Sequence, residues 1–140
     1  MKKYDKTMMK TALLWSKESY CKRRQVGAVL AKEGRILSIG YNGLPKGYKT
    51  NDCEHNNITK DIVIHAESNA LAFAGKYGIS TKDCDLYVTL SPCIECSKII
   101  IQHGIKRVVY LDEYKDIRGL DFIRENGVEV QKIEQIKDIL

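Results

Sequence analysis

Residues 86–111 read LYVTLSPCIECSKIIIQHGIKRVVYL, and this stretch decides the fold class. Residues 86–89 and 108–111 are short runs of β-prone side chains. The segment between them predicts a helix that begins at Ser91-Pro92, with the Ser91 hydroxyl as its cap, and ends before Gly104. Two strands joined by a crossover helix favour parallel pairing.

The flanking sequence extends this alternation in both directions. Hydrophobic periodicity predicts helices over residues 4–20, 65–77 and 117–125 and strands over 26–30, 36–40 and 128–132. Turn residues predict a tight turn at 33–34 and an irregular loop over 41–60. The tail 133–140 is predicted to form a short packing helix. We therefore predict an α/β fold, a three-layer α/β/α sandwich with a mixed five-stranded sheet, in one domain spanning residues 1–140.

Composition narrows the class of protein. The chain has 140 residues, of which 44% are hydrophobic, and 23 basic against 18 acidic residues give a net charge of +5. That charge suits a small phosphorylated substrate and equally a weak nucleic-acid contact. The sequence contains no apolar run of membrane-spanning or signal-peptide length, so we expect a cytoplasmic protein with no membrane partner. In that compartment its five cysteines favour free thiols or metal ligands over disulfides.

Two short motifs carry metal chemistry. Cys93 and Cys96 lie three positions apart at the start of a predicted helix, which places both sulfurs on one face. His65 begins the preceding helix and offers a third ligand. Three protein ligands leave the fourth tetrahedral position of Zn²⁺ open, and an open position distinguishes catalytic from structural zinc.

Glu67 follows His65 by two positions and is the predicted catalytic residue. A carboxylate there can accept a proton from water activated by the ion and pass it to a substrate ring. Alone, a Cys-x-x-Cys pair is often structural or redox-active, and a lone His-x-Glu means little. The combination of His-x-Glu with Pro-Cys-x-x-Cys is the signature of zinc deaminases.

The chain resembles the deoxycytidylate (dCMP) deaminases of the cytidine deaminase superfamily over nearly its whole length. Three segments carry the resemblance: CKRRQVGAV at 21–29, GYNGLPKG at 40–47, and IHAESNA at 64–70 together with VTLSPCIEC at 88–96. The resemblance implies a cytidine deaminase-like fold and zinc-dependent hydrolysis of dCMP to dUMP and ammonia, which supplies dUMP for thymidylate synthesis.

The resemblance also implies roles for particular residues. Asn42 would bind the sugar hydroxyl, the Ala66 amide would bind the pyrimidine carbonyl, and the Ser91 carbonyl would accept from the departing amine. Tyr114 would stack near the base. Phe73 and Lys76 would hold the 5′-phosphate. Many members have arginine where this chain has Lys76, and lysine lacks the two-pronged geometry. Lys76 also lies nine positions after Glu67, on another face of the helix. It would therefore reach a phosphate of its own or a neighbouring subunit's site, or it is a solvated lysine near a helix end.

A regulatory site is implied by the loop at 40–47. In the family this loop holds dCTP as an activator and dTTP as an inhibitor, and Mg²⁺ would accompany dCTP. The residues concerned here are Arg23, Arg24, Gly40, Tyr41, Asn42, Gly43, Lys46 and Gly47. The alternative is a turn-rich loop beside ordinary surface charge. The resemblance further implies a homo-oligomer, commonly a hexamer.

The remaining cysteines suggest a second metal ion. Some family members hold a structural zinc near this loop, and Cys21, Cys53 and His55 are its candidate ligands here, without an obvious fourth. The alternative is that these cysteines are buried small residues.

Three rival functions remain open. A tRNA adenosine or single-strand cytosine deaminase shares the zinc motifs but needs a basic, aromatic surface that follows a strand. The charge of this chain is evenly spread, so we expect no stable nucleic-acid partner. An enzyme that accepts dCTP, and a binding module without turnover, are the other two readings.

Overall fold

The computed structural model describes residues 1–134 and 136. Its helices are α1 (Asp5–Ser16), α2 (Ala66–Lys76), α3 (Ile94–Gln102) and α4 (Arg118–Glu125). Its strands are β1 (Gly27–Lys32), β2 (Arg35–Tyr41), β3 (Glu54–His55), β4 (Ile58–Thr59), β5 (Asp85–Leu90), β6 (Arg107–Asp112) and β7 (Glu129–Lys132). Among the helices described, none is both long and apolar enough to cross a bilayer.

Five strands form one mixed sheet in the order β2-β1-β5-β6-β7. β1 is antiparallel to both β2 and β5, whereas β5, β6 and β7 run parallel. The parallel pairs are those joined by α3 and α4, as crossover connections require. The predicted α/β fold with a mixed five-stranded sheet is therefore confirmed.

Strand alternation divides the core into two layers. Ala28 and Leu30 of β1 face a cluster that includes residues of α2, α3 and α4. Val29 and Ala31 face the opposite cluster, which is built on α1 and the buried tail residue Ile133. Because the central strands are covered on both faces, nearly all their side chains are buried and apolar.

Two local predictions need correction. The loop predicted over residues 41–60 contains the short hairpin β3–β4, whose turn places Asn56 and Asn57 at positive φ. The cap predicted at Ser91 is wrong, because α3 begins later: Cys93 is its N-cap, and the Cys93 thiol accepts from the Cys96 amide. The Ser91 hydroxyl instead accepts a hydrogen bond from the backbone amide of Tyr114 at 2.7 Å.

The predicted hairpin turn is confirmed, since Glu33 and Gly34 both adopt positive φ between β1 and β2. The packing helix predicted for the tail 133–140 lies largely outside the described residues. Ile133 and Ile136 are described and are fully buried.

A buried ion pair ties the N-terminal helix to the sheet. Asp5 at the start of α1 pairs with Arg107 at the start of β6, and both side chains are at most 1% exposed. Tyr87 donates a hydrogen bond to Asp5 at 2.6 Å. Burial raises the pKa of Asp5, but the hydrogen bonds from Arg107 and Tyr87 outweigh it and lower the pKa to about 2. The carboxylate is therefore ionised at neutral pH.

We predict that Asp5→Asn lowers the free energy of unfolding by about 3 kcal/mol, because it leaves a buried guanidinium short of its main partner. The folded pKa lies below the unfolded value near 3.8, so this stabilisation is present above pH 4 and is lost as the pH falls toward 2. Urea denaturation at pH 7 measures the loss. The control is Asp121→Asn at the exposed Asp121–Arg124 pair, which should change stability by less than about 1 kcal/mol. Equal losses in both variants would contradict the prediction.

Candidate active site

Three predicted metal ligands meet where α2 and α3 begin. The Nδ1 atom of His65 lies 3.3 Å from Sγ of Cys96 and 3.5 Å from Sγ of Cys93. All three ligand atoms lie within 4.8 Å of one another. Ligand atoms around a tetrahedral zinc are separated by about 3.6 Å when the metal–ligand distances are normal. The geometry and the donor set therefore fit Zn²⁺.

Backbone packing brings the two helix starts together. A Cβ on Gly40 of β2 would collide with the backbone of Ala66 and Ala70, so glycine lets the first turns of α2 lie against the sheet. A Cβ on Gly119 would collide with the carbonyl of Pro92 and the backbone of Cys93. Glycine at position 119 therefore lets α4 support the loop that presents the Cys93 sulfur.

The site favours a thiolate even before a metal binds. The Cys96 thiol and then the His65 ring hydrogen-bond to the Cys93 sulfur, and together they lower the pKa of Cys93. Among the residues that the structure describes, no fourth protein ligand joins this group. The position left open is what a catalytic zinc requires.

Glu67 is an acid–base group that lines the same cavity as the ligands His65 and Cys93. It is the second residue of α2, and its side chain is only 3% exposed. Burial raises the pKa of Glu67 to about 7, although its own backbone amide and the charge of His65 oppose the shift. A carboxyl group that titrates near neutrality can both accept and return a proton.

A cavity of about 580 Å³ opens onto Glu67 and His65, large enough for one nucleotide. It lies at the carboxyl ends of the parallel strands β5 and β6, where ligands bind in open α/β sheets. Besides Glu67, its lining contains five charged residues: Arg23, Arg24, Glu54, Glu113 and Lys115. One cavity therefore contains both a buried acid–base group, Glu67, and a rim of charged side chains.

Residues 2–112 match the family model described as the cytidine and deoxycytidylate deaminase zinc-binding region. This range contains both metal-binding motifs and Glu67. The chain belongs to this deaminase family.

Solved and curated relatives agree with the family assignment. The dCMP deaminase of cyanophage S-TIM5, solved in complex with dCMP and dUMP, is 45% identical with a TM-score of 0.91, and the match covers 95% of this chain and 99% of that one. The deoxycytidylate deaminase of Enterobacteria phage T2 is 35% identical over 93% of this chain and 92% of its own length. A tRNA:A34 deaminase at 22% identity and a TM-score of 0.64 shares the fold alone.

Four residues that the family resemblance assigns to the substrate line the cavity: Asn42, Ala66, Ser91 and Tyr114. Asn42 is held firmly, because its side chain accepts from the Val26 amide at 2.9 Å and donates to the Arg24 carbonyl at 2.8 Å. The Ser91 bond to Tyr114 joins the loops after β5 and β6. The structure thus brings the predicted base and sugar contacts together.

The predicted phosphate residues lie elsewhere. Phe73 and Lys76 occupy the exposed end of α2, where both contact the Tyr77 ring, and neither lines the cavity. Lys76 lies more than two turns from the start of α2, so within one chain this assignment must be corrected. A contribution to a neighbouring subunit's site stays a prediction.

The predicted regulatory residues divide into two groups. Arg23, Arg24 and Asn42 line the cavity, and Gly40 and Tyr41 end β2. Gly43 is bridged to Ile64, while Lys46 and Gly47 lie in an exposed turn. Of the eight predicted regulatory residues, three therefore line the cavity and five do not.

Cys21 and Cys53 form a disulfide, contrary to the expectation of free thiols. Glu54 rather than His55 completes a possible three-ligand group with these two sulfurs. His55 is therefore corrected as a ligand of that group: it follows Glu54 on a strand, so its side chain points to the other face, and it is exposed. Cysteine ligates zinc as a thiolate, so a second zinc at Cys21 and Cys53 would require this disulfide to be reduced, and it stays a prediction.

Sequence reasoning missed three charged residues of the cavity lining. Lys115 and Glu113 flank Tyr114, and a search of the residues beside it could have found them. Glu54 accepts hydrogen bonds from the Lys22 and Arg23 amides and so joins β3 to the basic segment, residues 22–24. Those contacts span more than 30 positions, so no local pattern signals them.

Proposed function

We propose that this chain hydrolyses dCMP to dUMP and ammonia in a zinc-dependent reaction, in the cytoplasm, as a source of dUMP for thymidylate synthesis. The supporting observation is the buried Glu67 beside a three-ligand metal site, in a cavity with cations at its rim. The similar cyanophage enzyme was solved with dCMP and dUMP bound, which matches this substrate and product.

His65, Cys93 and Cys96 would hold the zinc, which supplies the positive charge that acidifies a water molecule. Glu67 accepts the proton of the attacking water. The water oxygen bonds to C4 of the ring, and Glu67 delivers its proton to N3. The proton of the new C4 hydroxyl then passes through Glu67 to the amino group, so the C4–N bond breaks, ammonia leaves and the C4 carbonyl forms. Burial raises the pKa of the Glu67 carboxyl, which favours its acceptance of a proton.

The loops position the base and the sugar. His65 caps α2 without a side-chain hydrogen bond, so amides of the first turn, including that of Ala66, can bind the pyrimidine carbonyl. The Ser91 carbonyl would accept from the leaving amine, and Tyr114 would lie against the base. Asn42 would bind the sugar hydroxyl.

We expect Glu67→Gln to keep its zinc but to lose about 10²- to 10⁴-fold in kcat, because glutamine cannot carry the proton. Ammonia release and metal analysis measure the two quantities. Glu113→Gln, which alters another carboxylate of the cavity lining, is the matched control and should stay within about tenfold of wild type. A Glu67→Gln enzyme with more than about a tenth of wild-type kcat would rule out the assigned role.

The cavity rim suggests where the 5′-phosphate binds. Arg24 lies at the cavity and forms an ion pair with Asp112 at 3.3 Å, which orients its guanidinium. Arg23 hydrogen-bonds Thr59 at 3.5 Å, and Lys115 extends from the loop after β6. A guanidinium and an ammonium together can hold a monophosphate by charge-assisted hydrogen bonds.

We predict that Arg24→Ala lowers kcat/KM for dCMP by about 10- to 100-fold, the cost of one charge-assisted contact, with little change for deoxycytidine, which has no phosphate. Initial rates of ammonia release with the two substrates give the comparison, and dCTP completes the series. Lys76→Ala is the control and should stay within about threefold for dCMP. An equal loss in Lys76→Ala would instead assign the phosphate to Lys76 from a neighbouring subunit.

We also propose that the chain is a homohexamer regulated by dCTP, with Mg²⁺, and by dTTP. The exposed turn containing Lys46 and Gly47 supports regulation, since positive φ at Gly47 and a nearby cation suit a polyphosphate. The hexamer rests on the family resemblance alone.

At dCMP concentrations below KM, we expect dCTP to raise the rate and dTTP to lower it. Lys46→Ala should raise the half-effective effector concentration about tenfold, through the loss of one charged contact, without changing basal kcat. Lys49→Ala, in the same exposed segment, is the control. A rate of dCMP hydrolysis that neither dCTP nor dTTP changes would contradict the proposed regulation.

A further inference from the structure

A serine on α2 contacts one of the two zinc-binding sulfurs. The Oγ atom of Ser68 lies 3.4 Å from Sγ of Cys96. Ser68 is one helical turn beyond His65, so the ligand and the serine share the side of α2 that faces the first turn of α3. This contact belongs to none of the roles assigned above.

The two sulfurs differ in their surroundings. Cys93 lines the cavity and is partly exposed, whereas Cys96 is 5% exposed and does not line it. A buried anion loses its hydration and needs a hydrogen-bond donor from the protein in compensation. The Cys93 sulfur accepts a hydrogen bond from the backbone amide of Cys96 at 3.5 Å. The Cys96 sulfur contacts the ligand atom of His65 and, beside it, the Ser68 hydroxyl.

Metal ligation fixes the direction of this hydrogen bond. A cysteine that ligates zinc does so as a thiolate, which has no hydrogen and can only accept. The Ser68 hydroxyl must then be the donor. A donated hydrogen bond withdraws charge from the sulfur, so the metal keeps more of its positive charge and polarises its remaining ligand more strongly.

We propose that Ser68 is a positioning residue that orients the Cys96 thiolate and tunes its electron donation to zinc. Ser68 contacts the Cys96 sulfur but does not line the cavity, so it would act on the metal through Cys96 and not through the substrate. It should therefore affect kcat and metal affinity, but not the KM for dCMP. This inference rests on the proposed zinc site.

The substitution to test it is Ser68→Ala, which removes one hydroxyl and favours the helix. We expect kcat to fall by about tenfold, with KM within twofold. The zinc dissociation constant should also rise by about tenfold, because the buried Cys96 thiolate loses the donor that orients and stabilises it. In cobalt-substituted protein, the sulfur-to-cobalt charge-transfer band should move to longer wavelength, because a sulfur without its donor gives up an electron more easily. Ser68→Thr keeps the hydroxyl and should restore the wild-type band and kcat.

Ser97→Ala is the matched control. Ser97 follows Cys96 directly, but its hydroxyl donates to the Cys93 carbonyl at 2.8 Å and not to a sulfur. It should leave the charge-transfer band in place. An unshifted band in Ser68→Ala, or an equal shift in Ser97→Ala, would overturn the inference while leaving the proposed function intact. Wild-type protein that binds neither zinc nor cobalt would overturn both.

Discussion

The start of α2 and the start of α3 must lie side by side, and the rest of the site depends on this constraint. His65 precedes one helix and Cys93 caps the other, so a shift of either helix would separate the ligand atoms that now lie 3.3–3.5 Å apart. The constraint is met by glycines where a side chain would not fit: Gly40 under α2 and Gly119 beside the Cys93 loop. Catalytic geometry here is a consequence of backbone packing.

Much of this fold could be predicted because its signals are local. The apolar runs of β1, β5 and β6 mark the buried strands, and Gly34 marks the hairpin turn. The hairpin β3–β4 was missed because each strand has only two residues, too few for any period to show. The cap of α3 was misplaced because the Ser91 hydroxyl has a competing partner, the Tyr114 amide, which is distant in sequence.

The site follows the same division. His65, Glu67, Cys93 and Cys96 could be predicted because each motif lies within one helical turn. The contact of Ser68 with Cys96 spans 28 positions and depends on how two helices pack, so the sequence does not show it. Lys76 illustrates the converse, since a motif position inferred from resemblance need not lie near the cavity of its own chain.

The distribution of charge in the cavity favours a single nucleotide over a strand. The chain is only mildly basic, and its cavity lining mixes Arg23, Arg24 and Lys115 with carboxylates such as Glu54. A strand-binding groove needs cations that continue along the backbone on both sides of the reacting base. Here Glu54 and the Cys21–Cys53 disulfide join the β3–β4 hairpin to the basic segment. The hairpin therefore lies beside these cations. A single nucleotide would place its base beside the buried Glu67 carboxyl group and its one terminal phosphate beside the exposed cations at the rim.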